Sequence, residues 1–151
     1  MKLQTKYFGK IEYDADDILR FPNGLYGFDD EHEFLLIPFE GSETTLLCLQ
    51  SRNTPSLAFI LMDPFALQPD YTPVLQRAEL SALGVKNSDD LCYYVMCVVK
   101  QPIGDSTVNL KCPVAINPNT RVSVQVILDS EEYKMRHLLS QLKYDKGAIE
   151  C

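Results

Sequence analysis

The longest unbroken apolar run in this chain, Leu91–Val99, is nine residues. That limit constrains the fold more than any other feature. Nine residues fall well short of the roughly 18 that a membrane-spanning helix requires. Short apolar runs bounded by proline, glycine and asparagine are instead how strands read in a sequence. The nine prolines and seven glycines are spread along all 151 residues as punctuation, with no repeat, linker or low-complexity stretch.

The periodicity supports strands. Val122, Val124, Val126 and Leu128 alternate with Arg121, Ser123, Gln125 and Ile127, which predicts one half-buried strand over 121–128. Leu91–Lys100 is apolar on both faces and predicts a central strand. Leu3–Phe8, Ile18–Phe21, Phe34–Phe39, Thr45–Gln50, Leu57–Met62, Thr107–Leu110 and Val114–Asn117 are shorter candidates. The chain therefore reads as mostly β, a single-domain small β-barrel-like fold with one or two short helices across residues 1–151. One helix is predicted over Val74–Leu83, with Thr72 as N-cap, Pro73 at the first helical position and Gly84 as terminator. The other is predicted near the C-terminus, where Asp129 and Glu132 form a capping box and Met135, Leu138, Leu139 and Leu142 share a face. After Lys143 the chain reads as a frayed end.

Composition enters where function classes are excluded. Net charge is −7 and the pI about 4.7. Residues 1–50 hold ten acids against four bases, so the first third carries nearly all the excess. Such a chain is poorly suited to a phosphate backbone, which rewards clustered cations. The start, Met1-Lys2-Leu3-Gln4-Thr5-Lys6, lacks the hydrophobic region of a signal peptide, so a cytoplasmic location is expected. The five cysteines show no disulfide framework and read as reduced, mostly buried thiols.

The sequence holds little that points to catalysis or metal binding. His32 and His137 stand in no HxxxH pattern, and no CxxC or CxH spacing occurs. Cys92 and Cys97 point to opposite faces of a predicted strand and cannot share a metal. His137 reads as a surface residue of the terminal helix. Asp29, Asp30, Glu31 and Glu33 lack EF-hand spacing and read as a solvated acidic turn. No phosphate-binding glycine loop or nucleophile elbow is present. The expectation is a non-enzyme with no metal and no cofactor that binds another protein.

The informative residues lie in loops. Phe21-Pro22-Asn23-Gly24-Leu25-Tyr26-Gly27-Phe28 sets aromatics among glycines, as a turn folded under the core or as a binding loop. Asp63 can accept a backbone N–H in an Asx-turn that leaves Phe65 free to pack. Asn109 and Asn117 fall in predicted strands, where asparagine is depleted; each either ties strands together or offers a polar edge to a ligand.

At these loops the sequence resembles the FliW family of flagellar assembly factors. The matching pieces run in order: the 21–28 loop; Leu49-Gln50-Ser51 with Pro55 and Leu57-Ala58-Phe59; Asp63-Pro64-Phe65; Pro69-Asp70-Tyr71; Thr107-Val108-Asn109-Leu110; Pro113-Val114-Ala115-Ile116-Asn117; and Gln125-Val126-Ile127-Leu128. The resemblance spans about residues 5–140. The chain departs from the pattern at Asp29, at Cys112, and at Arg121–Val124, where a glycine usually precedes the glutamine.

The resemblance implies a small β-barrel-like, non-enzymatic protein with two partners. One is CsrA, an RNA-binding regulator that represses flagellin mRNA; the other is flagellin, which competes and leaves CsrA free. No direct nucleic-acid or membrane contact is implied. A flagellin chaperone without a translational role is the alternative. Asp63, Phe65, Asn109, Pro113, Asn117 and Tyr26 are the candidate partner-binding residues, with fold maintenance the competing reading for each. Pro22, Gly24 and Gly27 read as structural.

Overall fold

The computed structural model describes residues 1–39 and 46–142. Its strands are β1 (Lys2–Gln4), β2 (Lys10–Glu12), β3 (Leu19–Arg20), β4 (Glu33–Pro38), β5 (Leu46–Ser51), β6 (Ala58–Met62), β7 (Cys92–Val98), β8 (Thr107–Val108), β9 (Val114–Ile116), β10 (Ser123–Gln125) and β11 (His137–Leu138). Two short α-helices, α1 (Pro64–Leu67) and α2 (Arg77–Leu83), lie between β6 and β7. The fold is mostly β, as the short apolar runs predict.

β1 and β2 form a separate hairpin, and the other strands form one antiparallel sheet in the order β10-β9-β7-β6-β5-β4-β3, with β8 and β11 branching from β7. The register puts Ile37, Cys48, Ile60, Cys97 and Val108 in one row across a face. Pro38, Leu47, Leu61 and Met96 make a row on the other. Both faces are covered, which is why β7 is apolar on both sides; it pairs β6, β8 and β9 and is central as predicted.

On one face Tyr93, Val95 and Cys97 join Leu67, Leu83, Tyr133 and Leu139 from the helices and the terminal segment. On the other, Leu19, Phe34, Leu49, Leu61, Val114 and Ile116 close around Phe21 and Leu25 of the glycine-rich loop. The β1–β2 hairpin covers Leu35 with Leu3, and Ile18, just before β3, joins them.

The expectation of a barrel needs correction, because the sheet is not closed into one. Its end strands meet at a single parallel bridge, Arg20 to Val122, where the Arg20 N–H donates to the Arg121 carbonyl at 2.9 Å. Two- and three-residue end strands are too short to build a closing ladder there. Arg121 itself adopts φ +68°. A left-handed conformation, which glycine adopts at least cost, is thus taken here by an arginine.

Several other boundaries shift. The strand predicted over 121–128 is regular only at β10: the Val126 and Leu128 N–H groups continue the β9 register to the Pro113 and Lys111 carbonyls, but Pro113 has no N–H to return and the Lys111 N–H goes to the Lys134 carbonyl. Ser123 and Gln125, expected toward solvent, are buried because the 21–28 loop lies over their face. Leu3–Phe8 forms a strand only to Gln4. Asn109 and Asn117 stand just past β8 and β9 rather than inside them. Thr45, the predicted start of β5, and the end after Lys143 lie outside the described residues.

Gly84 ends α2 as predicted, in a left-handed conformation with φ +73°. The helix starts late, however. Its N-cap is Gln76, whose N–H donates to the Glu79 carboxylate at 2.8 Å. Thr72 instead gives its N–H to the Tyr133 hydroxyl, and the extended 72–76 segment carries Leu75 into the core.

The predicted C-terminal helix is absent. Met135 and Leu138 of its intended face are exposed, while Tyr133 and Leu139 are buried. His137 and Leu138 instead lie extended as β11, pairing β8, and Leu139–Gln141 make a single 3-10 turn. Strand addition to the open edge of β8 outweighs a helix too short to be stable alone. Asp129, expected as a cap, accepts from Gln76 Nε2 at 2.8 Å. His137 is accordingly a half-buried strand residue, not a helix-surface one.

Candidate functional site

Asp63 ends β6 and starts α1. One of its carboxylate oxygens accepts the Phe65 N–H at 2.9 Å, and Pro64 at the first helical position fixes the turn. The cap sends Leu67 into the core and turns Phe65 outward, where it is 41% exposed. Phe65 keeps edge-on ring contacts to Tyr71, 5.8 Å between centroids, and Tyr93, 6.2 Å. Tyr71 in turn meets Tyr133 at 4.6 Å. The buried hydroxyls are satisfied: Tyr71 donates to the Leu110 carbonyl and Tyr93 to the Ser88 carbonyl, both at 2.6 Å. Burial pushes the Tyr93 phenol up to about 12 and the Tyr71 phenol higher still, so both remain protonated donors at neutral pH.

Tyr26 lies at the tip of the glycine-rich loop and is 56% exposed. Its N–H donates to Gln125 Oε1 at 3.1 Å, and Gln125 Nε2 donates to the Cys112 carbonyl at 3.4 Å. Asn109 Oδ1 accepts the Cys112 N–H at 3.0 Å. The buried Pro113 follows, its carbonyl taken by Val126. Tyr26, Asn109 and Pro113 therefore belong to one hydrogen-bonded corner, with Gln125 as the connector. Gly24 makes the loop possible. It has φ +69°, and an added Cβ would lie 2.5 Å from the Phe28 carbonyl oxygen.

Asn117 does a different job. It is buried, its Nδ2 donates to the Leu83 carbonyl at the end of α2, and its Oδ1 accepts from Asn119 and Thr120. It ties α2 to the turn before β10. The six candidate residues thus fall into three places: Asp63 with Phe65, Tyr26 with Asn109 and Pro113, and Asn117 alone. The exposed side chains among them are Phe65 and Tyr26.

Sequence reasoning missed Gln125 and Gln50. Gln50 is fully buried, accepts the Lys6 N–H at 2.9 Å and donates to the Pro55 carbonyl at 3.1 Å. The signal was available, since a glutamine in an apolar strand must find partners. The acidic turn also needs correction. Asp29 and Asp30 are exposed, but Glu31 accepts from the Ser51 and Thr54 hydroxyls and Glu33 pairs with Arg52 at 2.9 Å. Among the described residues, no group of His, Cys, Asp and Glu is placed to hold a metal ion, and no helix is long and apolar enough to cross a membrane. Burial pushes the thiols of Cys48 and Cys97 up to about 11 and 12, which keeps them in the poorly nucleophilic protonated form.

The structure defines a mostly β protein whose distinctive residues shape loops and an exposed aromatic surface. Comparison with known proteins narrows that class. The family model described as FliW protein matches residues 2–139. A flagellar assembly factor FliW from Geobacillus sp. (strain WCH70) is 42% identical over 146 residues, covering 97% of this chain and 100% of the relative. One from Ruminiclostridium cellulolyticum is 34% identical, covering 92% and 94%. A crystal structure of the flagellar assembly factor FliW superposes with a TM-score of 0.85 at 40% identity, covering 92% of this chain and 96% of that one. The chain belongs to the FliW family.

Proposed function

We propose that this protein acts in the cytoplasm as a non-enzymatic partner-switch factor that binds CsrA, relieves its repression of flagellin mRNA, and takes flagellin as the competing partner. The observation that carries the reading is FliW family membership across residues 2–139. Two physical features support it. The acidic first third complements a regulator that handles RNA with basic residues, and complementary charge chiefly speeds association. Exposed Phe65 and Tyr26 give apolar anchors for a flagellin segment that is poorly ordered before assembly and orders on binding.

Calorimetric titration of purified CsrA and, separately, of flagellin into this protein tests the reading. Binding of both is the expected result. Flagellin binding without CsrA binding leaves a chaperone with no translational role, and binding of neither removes the proposal.

A further inference from the structure

Phe65 stands between two clefts. One, of about 390 Å³, runs beneath Tyr71, Tyr93 and Pro73 and has Asp89 in its wall. The other, of about 260 Å³, lies between Phe65 and Tyr94 and has Asp63 in its wall. The phenols of Tyr71 and Tyr93 already spend their protons on backbone carbonyls, so these rings offer faces and edges rather than O–H donors. Each cleft contains one carboxylate, and among the described residues neither is lined by lysine or arginine. Asp63 commits Oδ1 to the Phe65 N–H, which leaves Oδ2 for another donor.

These features select a guest. An anion would meet a carboxylate and no cation. A wholly apolar side chain would leave that carboxylate without a partner. A cation on an aliphatic stem satisfies both parts: the stem lies on the rings and the charged head reaches the aspartate. Arginine suits such a cleft best, because its planar head stacks on the rings while its N–H groups reach Oδ2 of Asp63 or the Asp89 carboxylate.

We propose that the two clefts flanking Phe65 receive arginine or lysine side chains from a basic segment of a protein partner. The inference rests on the protein-binding reading above and adds the chemistry of the contact.

The test uses the full chain and two acetylated, amidated peptides, Ala-Arg-Leu-Ala-Arg-Ala and its counterpart with glutamine at both arginines, followed by NMR chemical shifts. The expected result is a saturable shift at Phe65, Tyr93 and Asp89 with the arginine peptide, weakened by added salt and absent with glutamine. Asp63→Asn with Asp89→Asn should weaken binding roughly three- to tenfold, on the scale of exposed ion pairs. Asparagine retains the helix-capping oxygen, so this variant stays folded. Phe65→Ala, at an exposed position, serves as the second variant. No shift at these residues, equal shifts with the glutamine peptide, or unchanged binding in the aspartate variant overturns the proposal. Neither CsrA nor flagellin is used, so failure here leaves the partner switch standing, and failure of the switch leaves these clefts to be judged on the peptides.

Discussion

Phe65 and Asn117 mark the two kinds of residue within the resemblance. Phe65 is held outward by the Asp63 cap, so Phe65→Ala should lower stability by no more than about 1 kcal/mol, as for an exposed position, while weakening partner binding. Asn117→Ala should do the reverse. It leaves the Leu83 carbonyl and the Asn119 N–H without their partner, at a cost of about 2–3 kcal/mol. Asn109→Ala loses one turn bond, about 1 kcal/mol. Gly24→Ala should be the most damaging, about 3–4 kcal/mol, since its Cβ would meet backbone that cannot yield. Urea denaturation of the four variants, with partner affinity measured on the folded fraction, separates the groups. A full-strength Phe65→Ala binder would move Phe65 to the structural side.

At the scale of elements, the terminal segment shows where sequence pattern and structure part. The apolar spacing of 135–142 fits a helix, yet β8 offers an open edge that a strand can pair with, and that edge comes from residues some thirty positions earlier. Local periodicity carries no trace of such a partner. β7 was readable because its apolar run reports burial on both faces directly, and Asp63-Pro64-Phe65 because capping chemistry is local. The Tyr26–Gln125 contact joins residues 99 positions apart and left no sequence signal beyond a glutamine among valines. His137 gives this segment a pH dependence. Its Nε2 accepts the Lys134 N–H at 2.8 Å, and burial, helped by the Lys134 charge, holds its pKa below the ordinary 6.5. The neutral ring is therefore favoured in the fold. Its contribution is present above pH 6.5 and is lost as pH falls below it. Thermal unfolding from pH 7.5 to 5.5 should show this loss, and His137→Gln should flatten it; an unchanged slope would remove His137 as the source.

For the whole molecule, the proposed partner switch assigns the acidic first third to how partners arrive and the exposed aromatics to what holds them. Glu31 and Glu33 are built into the fold, so reversing them would confuse charge with stability. Asp29 and Asp30 are the clean probes of steering, being exposed. Asp29→Lys with Asp30→Lys should slow association with CsrA and leave dissociation nearly unchanged, an effect that shrinks as salt screens charges beyond about 8 Å. Stopped-flow rates at two salt concentrations read it directly, and salt-insensitive association would remove the acidic turn from the mechanism. The protein exposes 8567 Å², so two standard interfaces of ~800 Å² each would occupy about a fifth of it. Separate sites are therefore geometrically allowed, and a switch requires that they overlap or be coupled by about 1–3 kcal/mol. The most direct measurement is a titration of flagellin into the complex of this protein with labelled CsrA at fixed salt. Release of CsrA that regains its RNA binding is the predicted result; a stable ternary complex, with CsrA affinity unchanged at saturating flagellin, would contradict the account.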